Sequence, residues 1–540
     1  MLKATGIIGC VLALVLAMHG DCPGQEQDAT GKKKIELKLR ARQETGKGTG
    51  NYHALERTES WSPGSSAIIV CDMWDLHHCL NATLRGGEMA PRMNKVLNQA
   101  RGLGFTIIHA PSSCIAPYKN HPARKRVLAT PRSKNLPKNI DAWCSHIPEE
   151  DRGKYPIDQS DGGEDDDPAA HKKWAEELKA RGRNPGAPWK SQTDKLDIHD
   201  IDYISDNGSE VWSVLEDRKI NNVVLLGVHT NMCVLGRPFG LRQMARNGKN
   251  VVLMRDMTDT MYNPAMAPFV SHFTGNDLIV EHIEKFVCPT ITSDSFLGGG
   301  TFRFKNDKRP NLLIIMAEQE YKTNETLPAF AAKHLGHLFK VDYVHASEKE
   351  RNDLPGIEAI SEADIILVSV RRRLLPSPKM KLLLDFAAKG KPIVAIRTAS
   401  HAFAMRKKGE WKDDLVEWSG FDQKIIGGNY TGHHGNGPRV ALSSPASGKA
   451  HPILKGVDLG QLKGCGSLYK TTPLAKSATE LVRGTIEGKT PEAIAWTNKT
   501  SSGGRVFYTS LGHVDDFAQP GMNILLRNAL CWAAGLDVPE

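Results

Sequence analysis

Although the 540 residues include 10 cysteines, there is no C-x-x-C pair and no tight Cys/His cluster among them. That absence argues against a zinc ribbon and a dense disulfide framework. No metal and no cofactor are expected, and one or two disulfides stay open. EF-hand spacing is also missing. The acid run in "DQSDGGEDDDPAAHKKW" therefore reads as solvated surface, within a long insertion over residues 120–190. No nucleic-acid motif accompanies the net charge of +9. The basic runs "GKKKIELKLRAR" and "SVRRRLLPSPKMK" read as solvated faces or a tail, and no nucleic-acid partner is expected.

A long apolar run is lacking too. The stretch from Ile7 to Met18 is too short to cross a bilayer. With a lysine before it and small residues after it, it fits a signal peptide over residues 1–20. This predicts a secreted or periplasmic protein with no stable membrane span after cleavage; an uncleaved anchor is the alternative. Residues 21–60 are polar and read as disordered.

What the sequence does have is alternation. "SSAIIVCDMWD", "GFTIIHAPSS", "NNVVLLGVHTNMC" and "NGKNVVLMRDMTD" are apolar strands separated by amphipathic helices. After the glycine triplet at residues 298–300 the pattern restarts with "NLLIIMAEQEY", "ADIILVSV", "KPIVAIRTASHAF" and "GRVFYTSLGHVDDF". The reading is α/β: two doubly wound three-layer α/β/α domains, with chemistry at the carboxyl ends of parallel strands. The domains are predicted at 61–290 and 311–538, joined by a linker over 291–310.

In the first domain Cys233 follows a buried strand and opens a helix-like segment. A helix amino terminus favours the thiolate, and a tight turn offers amide donors to an oxyanion. Asp72 ends the first strand and is the candidate base. Each residue alone is bland, since a lone cysteine is mostly a core thiol and a strand-end Asp mostly a cap. Together, "IIVCDMW", "LLGVHTNMCV" and "RNGKNVVLMRDMTD" resemble the isochorismatase-like cysteine hydrolases, the superfamily of nicotinamidases, over about residues 60–290. The resemblance implies a Rossmann-like fold and an Asp–Lys–Cys triad. Cys233 would be the nucleophile, Asp72 the base, and His229, Thr230 and Met232 the oxyanion loop. A cis peptide would lie between Val228 and His229. The strand that should carry the lysine ends in Ser205 and Asp206 instead, which leaves Lys190 as the candidate or the triad broken. His77, His78, His109 and His121 do not compose a metal motif.

In the second domain His401, His433, His434 and His513 follow strands or glycine turns, where a parallel sheet would gather them. "GGRVFYTSLGHVDDFAQPGMNILLRNALCWAAG" and "GKPIVAIRTASHA" resemble the ThuA-like, trehalose-utilisation family, whose fold is similar to class I glutamine amidotransferases. The amidotransferase cysteine elbow is missing, which argues against glutaminase chemistry. Two functions follow. One is an exported hydrolase of a small amide or related C–N bond, coupled to a sugar-related domain. The other is a degenerate first domain serving as scaffold for a carbohydrate-binding or carbohydrate-processing second domain. Expected partners are a small-molecule substrate and a carbohydrate, with homo-oligomerisation left open.

Overall fold

A computed structural model describes residues 25–27, 33–406, 411, 414–435 and 439–539. The predicted signal peptide lies outside the described residues. The fold class is α/β, with two large sheets.

In the first sheet the strands Thr290–Ile291, Asn250–Asp259, Asn222–Val228, Ser66–Cys71, Thr106–Ala110 and Tyr203–Ile204 run parallel in that spatial order. Ser66–Cys71 is buried along its whole length, as a central strand covered on both faces must be. From it the chain steps outward through Thr106–Ala110 to Tyr203–Ile204, then returns to its other side with Asn222–Val228. The order thus reverses between Ser66–Cys71 and Asn222–Val228. Such a reversal parts the loops above the sheet into a crevice. Asp72 and Cys233 follow these two strands.

The expectation of disorder over residues 21–60 is corrected for residues 33–60. Lys33–Glu44 and Tyr52–Trp61 form an antiparallel hairpin whose first strand joins the sheet at Thr290. Ile35, Leu37 and Leu39 alternate into the core, which the polar composition hid. The basic run is not a solvated tail either. Arg42 reaches Glu284 at 3.1 Å and Asp342 of the second domain at 2.8 Å, and Arg40 reaches Glu284 at 2.8 Å.

The second sheet has Asn311–Ala317 flanked by Lys340–His345 and Ile365–Val370, followed by Ile393–Ile396 and Arg505–Thr509, all parallel. Antiparallel strands Glu492–Lys499, Thr479–Thr485 and Val440–Ser443 extend it. Here the order reverses around Asn311–Ala317. Beyond Arg42, the domains meet where Arg309 pairs with Asp277 at 3.0 Å and Ser271 N–H donates to the Gly336 carbonyl. A cavity of about 350 Å³ at this junction is lined by charges of both signs, including Arg255, Asp277, Arg309 and Asp342, and does not reach Asp72 or Cys233.

Candidate functional site

The crevice of the first domain brings Asp72 and Cys233 together. Asp72 is fully buried and adopts a left-handed backbone conformation with φ of 47°, which is costly for a residue with a side chain. Its Oδ1 accepts the Ser112 N–H at 2.8 Å. Its Oδ2 accepts the Arg237 Nε at 3.0 Å. The Cys233 thiol lies beside this carboxylate, close enough for each to perturb the other.

The cation at this site is Arg237. Lys190, the predicted third member, extends its ammonium to the Gly182 carbonyl at 3.3 Å, and its backbone N–H donates to Asp75. It therefore makes no contact with Asp72. Asp206, at the position where the resemblance expects lysine, accepts the Ser113 N–H at 2.8 Å. A signal for Arg237 was available: it lies four residues after Cys233, one turn along the same segment. Trp143 lies under its guanidinium at 5.6 Å from the ring centroid.

The Val228–His229 peptide is cis, as the resemblance implies. Thr230–Val234 then forms one π-helical turn containing Cys233. Of the oxyanion candidates, Met232 N–H donates to the His229 carbonyl at 3.0 Å. Thr230 Oγ1 is engaged with Thr258 Oγ1 at 2.7 Å. The His229 ring packs edge-on against His77 at 4.7 Å, and burial pushes its pKa down to about 4. His229 is thus a neutral wall at physiological pH. Trp74 and Trp189, stacked at 4.7 Å, continue this wall beside His77.

Electrostatics differ from the expected activated thiol. Burial, and next the negative Asp72, hold the Cys233 thiol above its ordinary range, while Arg237 opposes them. Burial likewise raises the Asp72 carboxyl, and Arg237 and Ser112 oppose it. Cys233 is therefore a thiol at rest, and its proton must move during attack.

The acid run is a clasp and not a solvated face. Asp166 caps the Leu80–Leu103 helix by accepting Leu80 N–H at 2.7 Å and Asn81 N–H at 2.8 Å. Asp165 pairs with Arg85 at 2.7 Å, and Glu164 with His78 at 2.9 Å. Cys79, Asp165 and Asp166 place ligand atoms within 4.8 Å of one another. Those carboxylates are already engaged by Arg85, His272 and the helix amides. His109 is similarly engaged, by Gln192 and Asp202.

In the second domain three of the four histidines lie against tyrosines. His401 stacks on Tyr430 at 4.4 Å and approaches Tyr469 at 6.0 Å. The exposed His433 lies 6.4 Å from Tyr469, and His513 meets Tyr321 edge-on at 5.7 Å. Nε2 of His434 is buried without a partner. His513 also caps its own turn, accepting the Asp515 N–H. Between Tyr321 and Tyr469 lies Arg397, which the sequence reading passed over.

Residues 305–533 match the ThuA family model, described as trehalose utilisation. The second domain is ThuA-like. A ThuA-like protein from Bacteroides uniformis is 16% identical to this chain, with a TM-score of 0.31, over 44% of this chain and 95% of its own. A cysteine hydrolase from Pseudomonas syringae pv. phaseolicola is 15% identical, with a TM-score of 0.26, over 43% of this chain and 91% of its own. An isochorismatase family protein from Burkholderia thailandensis is 15% identical, with a TM-score of 0.19, over 36% and 79%. No curated protein matches the chain.

Proposed function

We propose that the protein is an exported hydrolase of a small amide or related C–N bond, with its ThuA-like domain directed to a sugar. The observation that carries the hydrolase reading is the buried Asp72 carboxyl beside the buried Cys233 thiol, held by Arg237 at 3.0 Å. Export rests on the leader pattern of residues 1–20. Among the described residues no helix is long and apolar enough to cross a membrane.

Chemically, Cys233 Sγ attacks the amide carbonyl carbon while its proton passes to Asp72. The Cys233 backbone N–H stabilises the developing oxyanion, because Met232 N–H is engaged elsewhere. The C–N bond breaks as Asp72 returns the proton to the leaving amine, leaving a thioester. Water then attacks the thioester, Asp72 takes the water's proton, and the acid departs as the thiol is restored. Arg237 keeps Asp72 ionised between proton transfers. Trp74 and Trp189 supply a flat wall suited to a planar amide.

A second reading, the silent scaffold, is favoured by arginine in place of lysine. A guanidinium cannot release a proton near neutral pH, whereas an ammonium can. Ammonia release from a panel of small amides separates the two. Turnover lost in Cys233→Ala and lowered about two to four orders of magnitude in Asp72→Asn supports the hydrolase. Full activity in Cys233→Ala rules out the nucleophile assignment.

A further inference from the structure

The carboxyl edge of the ThuA-like sheet carries unbalanced positive charge. Arg371 and Arg372 follow the strand Ile365–Val370, and Arg397 follows Ile393–Ile396. Arg397 is only 3% exposed, yet each of its acceptors is neutral: the carbonyls of Ser510 at 2.6 Å and Ser467 at 3.1 Å, the Ser467 hydroxyl and the Tyr321 hydroxyl. Arg372 donates to the Ala404 carbonyl at 2.9 Å. Nε of both Arg372 and Arg397 is buried without a partner. Among the described residues one carboxylate, Glu320, meets this group, at 2.6 Å from Arg371. Nearby Glu318 is engaged in capping Tyr321 and Thr323. A sequestered cation with neutral partners keeps its full charge and its desolvation penalty, which an arriving anion relieves.

Beside these cations stands an aromatic face. Tyr430 is half-buried, is stacked on His401, and lies 4.9 Å from Tyr469. Burial and then the surrounding arginines push the His401 pKa down to about 2, so His401 contributes ring surface and no charge. Guanidinium forks bind planar or tetrahedral oxyanions, and aromatic faces pack against the C–H face of a sugar ring.

We propose that this edge binds an anionic sugar, a pyranose carrying a carboxylate, sulfate or phosphate group. The oxyanion meets Arg371 and Arg372 above the field of Arg397, and the ring lies on Tyr430. This rests on the sugar reading of the ThuA-like domain and adds charge selectivity to it.

Calorimetry on the full chain at low salt tests it with four probes: glucuronate, glucose 6-sulfate, glucose 6-phosphate, and the neutral disaccharide trehalose. Inorganic phosphate serves as a fifth. At least one charged sugar should bind tenfold or more tighter than trehalose and than inorganic phosphate, and should weaken as salt rises. Arg372→Gln should remove that preference and Arg372→Lys should keep part of it. Arg371→Gln, at a partly exposed position, repeats the test should Arg372→Gln misfold. The source of the anion is read from which charged sugar leads. Trehalose binding as tightly as every charged sugar overturns the charge inference and leaves the sugar reading standing. Phosphate binding as tightly as the sugars overturns the ring contact. No binding by any probe overturns both.

Discussion

Arg237 Nε donates to Asp72 Oδ2 at 3.0 Å, joining the turn after Cys233 to the end of the first central strand. The contact crosses 165 residues of sequence. It places a permanent cation against the buried carboxyl beside the thiol, in a triad for which the resemblance implies a lysine from a different strand end.

Replacing that cation should therefore matter more than replacing the predicted lysine. Arg237→Ala is expected to lower kcat/KM by about two orders of magnitude, the scale of losing one preorganised charge partner. Lys190→Ala should leave it unchanged, since its ammonium sits on the Gly182 carbonyl. Steady-state kinetics on both variants decide the assignment. The reverse pattern would restore Lys190 to the site.

Activity should also carry an acid limb set by Asp72. Burial raises this carboxyl, so it becomes a competent base only above the usual carboxylate range. In Arg237→Ala the limb should move to still higher pH, because the guanidinium opposes that rise. A pH–kcat/KM profile unmoved by the substitution would show that Arg237 does not govern the ionisation of Asp72. For stability the sign is opposite: a raised acid is better tolerated at low pH, and its contribution is lost as pH rises through the folded value.

Acid unfolding should draw on other carboxylates held down by buried cations, Glu150 among them. Its carboxylate takes Arg242 Nε at 2.8 Å and His282 Nε2 at 2.8 Å, and is held down to about 2 despite burial. A lowered acid contributes fully above its unfolded value near 4.3 and loses that contribution as pH falls toward 2. The contribution is about 3 kcal/mol. Denaturant melts of Glu150→Gln should show a shallower loss of stability between about pH 4.5 and 2 than the parent. Identical slopes would remove Glu150 from this role.

Arg42 should couple the two domains. Arg42→Ala leaves Asp342 without its 2.8 Å partner and Glu284 with Arg40 as its remaining ion-pair partner. A loss of about 3 kcal/mol is expected, at the lower end for breaking a buried ion network. Limited proteolysis should cut within 291–310 faster than in the parent. Unchanged cleavage and stability would show that the junction is held by the contacts around Arg309 and Gly336.

The sequence by itself determined the elements that depend on near neighbours. Apolar runs such as Ile68–Val70 and Val223–Leu226 cannot be satisfied at a surface, so they declare buried strands, and their ends declare Asp72 and Cys233. Tertiary structure decided which charge meets which. Arg40 and Arg42 belong to a run that reads as a solvated tail until Glu284 and Asp342 arrive from elsewhere in the chain. The acid run reads as surface until the amino end of the helix Leu80–Leu103 and Arg85 fold against it. Arg237 reads as a helix residue until the strand order brings Asp72 beside it. Hydrophobic periodicity is written locally, because each apolar side chain need only leave water. An ion pair is specific to its partner, and at separations of 165 residues or more only the folded chain supplies that partner.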